Sequence, residues 1–440
     1  MIVFAAATLA TALTAARGAQ TVPLSFEGLS LSAAQSQAVA ESPEVAAARA
    51  RLMSAGAVLR QQRGALGPSL LAGYTENPQA GPGPSTISQH STSVGVQTVI
   101  GNVLAYSPRV AGAAREYQAA QADEYAAERA ERVKAAGLYY AALKARATLS
   151  ARSEGLRLAA DEEQAAAKRF QAGDAPRIDV VRAAVTVARA TADEATAKAA
   201  DDNATDALRL ETGAGDSAFA RTSAKADQAT SVGARASGPA VGVPGSTASN
   251  AVMPGDQSDV ESAVALALEQ RPEIASAQRG VGAAAAMVAA ARRAAVPALV
   301  LGAGYARGVD SGQKVAGPTL NAQLELPLTA AASSGIAGSQ ASLAEAQAKL
   351  AGQRRDIAVE VGAAVRNLAA AGKAVSASTK AREQAQAELA ATQLGYRSGA
   401  SSSLERASAQ ATYADARLNE LAAIYDQALA RAVVALDTGR

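Results

Sequence analysis

Apolar and polar residues alternate with a period of two in four short stretches of the chain. The clearest stretch lies at 318–328, where Asn321, Gln323 and Glu325 separate the apolar residues. This period predicts a strand with one apolar face, and about ten residues is the length that crosses a bilayer when tilted. We expect the face that would contact lipid to carry Leu320, Leu324, Leu326 and Leu328. Weaker alternation predicts three more strands, at 68–76, 88–100 and 297–306, with a Gly/Pro-rich loop at 77–84.

Most of the remaining chain has helical composition over unusually long stretches. One apolar series is spaced by three and four residues, which is the pattern of a coiled-coil seam. It consists of Val133, Ala136, Tyr140, Leu143 and Ala147. The helix predicted around it, at 103–169, would form a rod on the order of 100 Å long, and no globular domain needs such a helix. The other predicted helices cover 31–66, 175–211, 259–294, 332–396 and 401–437.

The chain contains one arrangement of elements twice. Pro43 recurs as Pro272 and Pro68 as Pro297, each 229 residues later (272 − 43 and 297 − 68). Each copy runs in the order helix, strand, turn, strand, very long helix, glycine turn and last helix. This self-similarity indicates a pseudo-symmetric wall or tube rather than a cleft built for chemistry. The predicted segments are a first repeat at 26–213, a Gly/Ser/Pro-rich linker at 214–257 and a second repeat at 258–440.

The composition supports a long, thin, helical molecule. The chain is 49% hydrophobic but only 3% aromatic, contains no Trp, and draws most of its apolar residues from Ala. Alanine favours helix and lets helix backbones approach closely, whereas bulky residues fill thick cores. The formal net charge is +2, so no nucleic-acid-binding surface is indicated. The absence of Cys excludes disulfides, thiolate metal sites and a lipid-modified cysteine anchor.

The first residues resemble a secretory signal. Residues 2–16 are apolar and small residues follow them, so we predict a signal peptide at 1–19, although the usual basic start is missing. A buried helix turn or a misassigned start codon are the alternatives. No other apolar run is long enough for a transmembrane helix, so a helical inner-membrane transporter is not expected.

No candidate for catalysis or cofactor binding stands out. His90 is the only histidine, and the residues around it on the predicted strand are Ser and Thr. The sequence contains no phosphate-binding glycine loop, nucleophile elbow or zinc spacing. We therefore predict that the protein is not an enzyme and binds no cofactor or metal.

Four strands per chain raise a problem of pairing. An open four-stranded sheet cannot sit in lipid, because each unpaired edge group there costs several kcal/mol. Several chains could each contribute four strands to one closed barrel. Two chains would give an eight-stranded barrel, whose interior is just filled by side chains. Three chains would give a twelve-stranded barrel, which begins to leave a lumen.

The order of elements and several short segments resemble the TolC-like outer-membrane efflux proteins. These proteins are the outer-membrane factors of tripartite pumps and type I secretion systems. The resemblance runs from residue 30 to 437, the linker excepted. The segments that carry it are 32–44 and its repeat 263–273, Leu66–Leu70, Arg169–Gly173 with Arg177–Ala183, and Gly395–Gly399 with Ser403–Glu405.

The resemblance implies both an assembly and a location. It implies a homotrimer whose twelve-stranded β-barrel is continued by an α-helical barrel. The trimer would lie in the lipid of the outer membrane and extend into the periplasm, where a periplasmic adaptor would connect it to an inner-membrane pump. Nucleic acid is not among the implied partners.

The turns between the last two helices of each repeat are the first candidate site. A tight reversal between antiparallel helices needs positive φ, which glycine supplies. Gly173 and Gly399 are therefore predicted to form these turns. The resemblance implies that the adaptor docks there, on a surface that includes Phe170 and Tyr396.

The start of the last helix in each repeat is the second candidate site. Asp179 and Glu405 follow the turn glycines at equivalent places. One hypothesis places them at the closed end of the tube, where acids from several chains would crowd together. The alternative is that they are first-turn acids that the helix dipole favours. Ser408 occupies the next gate position implied by the resemblance, and it is not acidic.

Two functions fit the sequence. The first is a passive exit duct for the efflux or secretion of small molecules or proteins, energised by a separate pump. The alternative is a periplasmic adaptor or a coiled-coil scaffold of a transport complex. Such proteins would share the Ala-rich helices but would lack paired ten-residue strands in both repeats, so the strand at 318–328 favours the duct.

Overall fold

In the computed structural model, the described part of the chain is mainly helical, with four strands. It comprises residues 29–65, 69–80, 86–99, 103–173, 175–213, 257–294, 298–310, 313–325, 330–398 and 400–438. The predicted fold class, a tandem repeat with four strands and very long helices, is confirmed. The predicted signal peptide and Gly399, Leu326 and Leu328 lie outside the described residues, as does almost all of the predicted linker.

Each repeat contributes four helices and two strands. In the first repeat these are α1 Leu31–Glu41, α2 Pro43–Gly64, β1 Ser69–Ala80, β2 Thr86–Val99, α3 Val103–Gln171 and α4 Arg177–Thr212. In the second they are α5 Gln257–Gln270, α6 Pro272–Ala294, β3 Ala298–Asp310, β4 Gln313–Glu325, α7 Ala330–Arg397 and α8 Ser403–Asp437. None of the described helices is apolar over a stretch long enough to span a bilayer.

The prediction of one helix at 31–66, and of another at 259–294, is wrong. Each is broken into two helices, at Ser42 and at Arg271. Both residues precede a proline, whose ring disfavours helical backbone in the residue before it. Ser42 is extended, with φ −65° and ψ 124°, and its hydroxyl accepts a hydrogen bond from the Val45 amide at 3.3 Å.

The first strand is longer than predicted. It was expected to end at residue 76, before the loop at 77–84, but β1 continues through Pro78 to Ala80. Proline lacks an amide hydrogen, so it is tolerated in a strand that has a neighbour on one side only. β1 is such an edge strand, because the order in the sheet is β1-β2-β3-β4. The same argument applies to Pro318 in β4, at the opposite edge.

All neighbouring strands are antiparallel, and the two repeats meet at the β2–β3 pairing. Gly95 lies opposite Gly304 at this junction. A Cβ atom on Gly304 would lie 2.9 Å from the Gly95 Cα and 3.0 Å from the Val94 carbonyl oxygen. The absence of side chains therefore allows the backbones of the two repeats to approach closely.

The described residues divide into two compact units. The first unit contains the segments up to Glu41, Glu131–Asp259 and Ala364–Leu436. Its core packs the buried rings of Tyr139 and Tyr425 against Leu208, and the Tyr139 hydroxyl donates to the Leu29 carbonyl at 2.9 Å.

The second unit contains the sheet together with the helical segments of Ser42–Ala130, Val260–Ala363 and Asp437–Arg440. Its buried apolar residues are small or branched, and they include Val45, Ile274 and Val361. Alanine dominates the buried positions of the helices in both units, so these helices pack with little bulky core between them.

Candidate functional site

The register of the sheet places several large apolar residues on one face. Directly opposed residues of antiparallel strands point to the same side. Val94 of β2 pairs with Tyr305 of β3. Ala303, two residues before Tyr305 and so on the same face, pairs with Leu320 of β4. By the same pairing this face also carries Leu70 and Tyr74. All five large side chains are exposed, Leu320 to 87%, so this unit leaves an apolar sheet face uncovered.

The opposite face carries several polar side chains. Ser93, Thr319 and Gln323 lie on it, and the Ser93 hydroxyl donates to the Gly73 carbonyl at 3.5 Å. Of the predicted lipid-facing leucines, Leu320 is on the apolar face. Leu324 belongs to β4 and pairs in register with Leu299. Among the described side chains the two faces of the sheet therefore differ in polarity.

The sheet has an edge strand on each side, β1 and β4. Within the described residues, β1 pairs only with β2, and β4 pairs only with β3. Each outer edge therefore presents a row of backbone donors and acceptors that could pair with another strand.

The first helix turn has the predicted glycine geometry. Gly173 has φ +83°, and its amide donates to the Phe170 carbonyl at 3.1 Å. Phe170 itself is 44% exposed, so its ring is available for contact with another molecule. Around the second turn, the Ala400 amide donates to the Gly395 carbonyl at 2.7 Å. That bond brings the chain back on itself beside the start of α8.

Tyr396, a predicted docking residue, is held by two arginines from other helices. Arg169 of α3 donates from Nη1 to the tyrosine hydroxyl. Arg406 of α8 lies over the ring, with 4.6 Å from its guanidinium carbon to the ring centroid. A cation over an aromatic ring is attracted by the ring quadrupole. Arg406 also forms an ion pair with Glu162 of α3, with 3.7 Å between Nη2 and Oε1. The ends of α3, α7 and α8 are thus joined through one tyrosine.

Asp179 connects the two repeats at the start of their last helices. Its Oδ1 accepts a hydrogen bond from the Ser403 hydroxyl of α8 at 2.9 Å. Arg182, one turn further along α4, lies 3.6 Å from the same oxygen. Asp179 is therefore a partner in an inter-helix contact as well as a first-turn acid of α4.

Glu405 has a different role, although the sequence places it at the equivalent position. Its Oε2 accepts from the Ser402 amide at 2.9 Å, and its own amide donates to the Ser402 hydroxyl at 3.2 Å. This reciprocal pair is a capping box, which satisfies two free donors at a helix start. Ser408, the third candidate, is exposed, and its carbonyl accepts from the Thr412 hydroxyl within α8.

Sequence reasoning missed most of the contacts that join the two repeats in this unit. Arg406 and Ser403 stand inside or beside the segments quoted for the resemblance, but nothing in the sequence identifies their partners. Further along the same helices, charged pairs connect α8 to its neighbours. They are Arg417 with Glu154 at 2.8 Å, Arg382 with Glu420 at 2.6 Å and Lys144 with Asp426 at 2.9 Å.

The second unit contains a cluster of charges that the sequence also failed to predict. The Oδ1 atom of Asp437 lies 2.7 Å from Arg129 and 2.9 Å from Arg271. Arg129 also pairs with Glu273 at 2.6 Å, and Arg271 with Glu360 at 3.1 Å. Arg271 and Asp437 are each only 2% exposed at the side chain. This buried ion cluster joins the α5–α6 break to α3, α7 and the end of α8.

Burial dominates the protonation of the cluster's central acid. Desolvation raises the pKa of Asp437 above its ordinary value, although Arg271 and Arg129 act in the opposite direction and Glu360 adds to the rise. The Oδ2 atom of Asp437 has no hydrogen-bond partner among the described residues. The same residues contain no group of acids or His that could hold a metal ion.

Comparison with solved structures finds the same fold in several channel proteins. CusC, described in connection with transmembrane channel formation, superposes with a TM-score of 0.75 at 17% identity, over 93% of this chain and 91% of its own. The outer membrane protein VceC of Vibrio cholerae superposes with a TM-score of 0.73 at 19% identity, over 93% of this chain and 96% of its own. The CmeC outer membrane channel of Campylobacter jejuni superposes with a TM-score of 0.73 at 16% identity, over 93% of this chain and 85% of its own.

Comparison with families supplies the classification. No functionally curated protein matches the sequence. The family model for outer membrane efflux proteins, however, matches residues 34–214 and 263–439, which are the two repeats. The match covers most of the chain and favours the duct over the adaptor alternative. The chain belongs to the outer membrane efflux protein family.

Proposed function

We propose that the protein is the outer-membrane exit duct of an efflux or secretion system. One observation carries this proposal: a four-stranded amphipathic sheet that has an unpaired edge on each side. In water such a sheet would expose an apolar face and two pairing edges at once. In a membrane both features are useful, because lipid covers the apolar face and further strands satisfy the edges.

The sheet closes when β4 of one copy pairs with β1 of the next. Two copies would form an eight-stranded barrel, and side chains fill the interior of a barrel of that size. Three copies would form a twelve-stranded barrel, which leaves a lumen. We infer a homotrimer for this reason. The apolar face, including Leu320, then contacts lipid. The polar face lines a water-filled passage.

The long helices extend the passage away from the membrane and into the periplasm. Their turns, at Gly173 and between α7 and α8, form the docking end for a periplasmic adaptor. Exposed apolar side chains near these turns support such a contact, since Phe170, Ile178 and Leu404 are 44%, 50% and 61% exposed. The duct itself is passive, and an inner-membrane pump coupled through the adaptor drives transport of small molecules or proteins.

The inter-helix contacts at the turn end hold the passage closed. Asp179 with Ser403, and Tyr396 with Arg169 and Arg406, join helices that must separate when the end opens. A hydrogen bond to a charged group contributes about 1.5–3 kcal/mol when buried, and less when partly exposed. Opening is therefore a shift between two packings of the helix ends. Glu405, which caps its own helix, supports the start of α8 rather than this closure.

Membrane fractionation and bilayer recording test the duct. We expect the protein in the outer-membrane fraction, as a trimer that conducts ions in a planar bilayer. Recovery in the soluble or inner-membrane fraction would contradict the proposal. The closure is tested separately with Ser403→Ala combined with Tyr396→Phe, which should raise conductance about tenfold. Thr412→Ala, which removes a hydroxyl that donates to a carbonyl within α8, serves as the control and should leave conductance unchanged.

A further inference from the structure

Two cations stand on the apolar face of the sheet. Arg307 of β3 and Lys314 of β4 are both exposed. Arg307 pairs with Ala316, and Val309 pairs with Lys314, so the two cations are diagonal neighbours in adjacent rows. Diagonal neighbours on one face lie about 7–8 Å apart. Two long side chains at that separation can contact the same small anion.

The polarity of this face changes stepwise toward the β3–β4 connection. Successive rows carry Leu320, then Tyr305, then Arg307, and finally Lys314. Rows two residues apart are separated by about 7 Å along the strand. The cations therefore lie about 7 and 14 Å beyond the tyrosine. Tyrosine concentrates at the level of lipid headgroups, and cations next to that level meet the lipid phosphates.

We propose that Arg307 and Lys314 together bind the phosphomonoester headgroup of an anionic lipid. The inference rests on the proposed function, because it requires the apolar face to lie in a membrane. A phosphomonoester carries a charge of about −1.5 to −2 at neutral pH, which two adjacent cations match. Within one chain, Glu76 is in the same row as Lys314 but belongs to β1, which two other strands separate from β4. Both cations thus belong to the second repeat.

The composition of the chain offers a direct probe. The sequence has no Trp, so Tyr305→Trp places a single fluorophore in the row next to Arg307. Tyr305 is 56% exposed, and one aromatic ring replaces another there. Lipids with brominated acyl chains quench this fluorescence on contact. Reconstitution of the full-length protein in mixtures of phosphatidylcholine and phosphatidic acid, with either lipid brominated, then gives their relative binding constants at the site.

We expect phosphatidic acid to bind at least tenfold more strongly than phosphatidylcholine. Each cation near a membrane surface contributes about a fivefold preference for anionic lipid. Arg307→Gln and Lys314→Gln should each lower the preference about fivefold, and the double substitution should abolish it. Lys380→Gln, which removes an exposed cation on α7, is the matched control and should change nothing.

The outcomes separate this inference from the proposed function. If no brominated lipid quenches the fluorescence, the apolar face does not lie in a membrane, and both proposals fail. If both lipids quench equally, or if Lys380→Gln has the same effect as Arg307→Gln, only the headgroup site is overturned. Loss of the preference on addition of inorganic phosphate would identify a site for free phosphate and would overturn the lipid assignment.

Discussion

The buried ion cluster should be the point at which the second repeat is most sensitive to a single substitution. We consider Arg271→Met, which removes the charge and keeps an unbranched side chain of similar length. Arg271 donates from Nε to the Asp437 carbonyl at 3.2 Å, and its Nη2 lies 2.9 Å from the carboxylate of the same residue. Both interactions disappear, and Met supplies no donor in their place.

The magnitude follows from what remains around Asp437. Removing one partner of a buried ion pair costs about 3–5 kcal/mol, because the other charge stays desolvated. Here Arg129 still lies 2.7 Å from the carboxylate, so the lower end of that range applies. Glu360 is 53% exposed at the side chain and returns to water at little cost. We therefore expect a loss of about 3 kcal/mol.

The pH dependence has a definite sign. Burial already raises the pKa of Asp437, and loss of Arg271 raises it further. A carboxyl whose pKa is higher in the folded protein than in the unfolded chain favours folding at low pH, and this contribution is lost as pH rises through the folded pKa. The loss of stability caused by Arg271→Met should therefore be larger at pH 8 than at pH 5.

The absence of cysteine makes a local assay practical. Ile274→Cys places one thiol in the first turn of α6, where Ile274 is 2% exposed. The rate at which this thiol reacts with a soluble reagent reports the population of locally opened protein. Because 1.4 kcal/mol corresponds to a factor of ten, Arg271→Met should accelerate labelling about 100-fold at pH 8.

The first repeat provides the matched control, since Ser42 and Val45 occupy the positions of Arg271 and Ile274. Val45→Cys is the equivalent probe, and Ser42→Ala removes the helix cap at a cost of about 1 kcal/mol. We expect about fivefold faster labelling there. Equal acceleration in the two repeats, or no effect of pH on Arg271→Met, would refute the assignment of a buried charge cluster.

Three further predictions concern the sheet and the first unit. Gly304→Ala should lower the thermal midpoint by an amount equivalent to about 1–3 kcal/mol, because its Cβ meets the backbone of β2, whereas Gly317→Ala has open space and should not. Leu320→Arg should reduce the amount of assembled trimer in membranes more than Gln323→Arg, as an arginine facing lipid costs about 2–4 kcal/mol; equal losses would contradict the assignment of faces. Burial raises the pKa of Tyr425 to about 12. Stability should therefore fall above pH 10, and Tyr425→Phe should reduce that fall in an alkaline titration followed by circular dichroism.

The strands and long helices were predictable because each has a period that a single sequence displays. Alternation between 318 and 328 predicted part of β4, and the spacing by three and four residues from Val133 to Ala147 predicted α3. Two boundaries were missed for the same reason. Pro43 and Pro272 mark both breaks in the sequence, because a proline disfavours helical backbone in the residue before it.

The contacts at the helix ends could not be predicted from the sequence. Whether Tyr396 meets an arginine of α3 depends on the packing of residues more than 200 positions apart, and no local pattern encodes that distance. Glu405 could have been recognised, since Ser402 precedes it by three residues and the pair forms a capping box. Asp179 and Ser403 have no comparable signature.

The two repeats share a backbone plan but stabilise equivalent positions by different means. Ser42 caps the helix that follows it, whereas Arg271 at the same position reaches across to Asp437. Glu405 caps its own helix, whereas Asp179 reaches across to Ser403. In each pair one copy is satisfied locally and the other binds a second helix. If helices separate in the proposed duct, the two repeats therefore respond unequally at these positions, since only Arg271 and Asp179 couple one helix to another there.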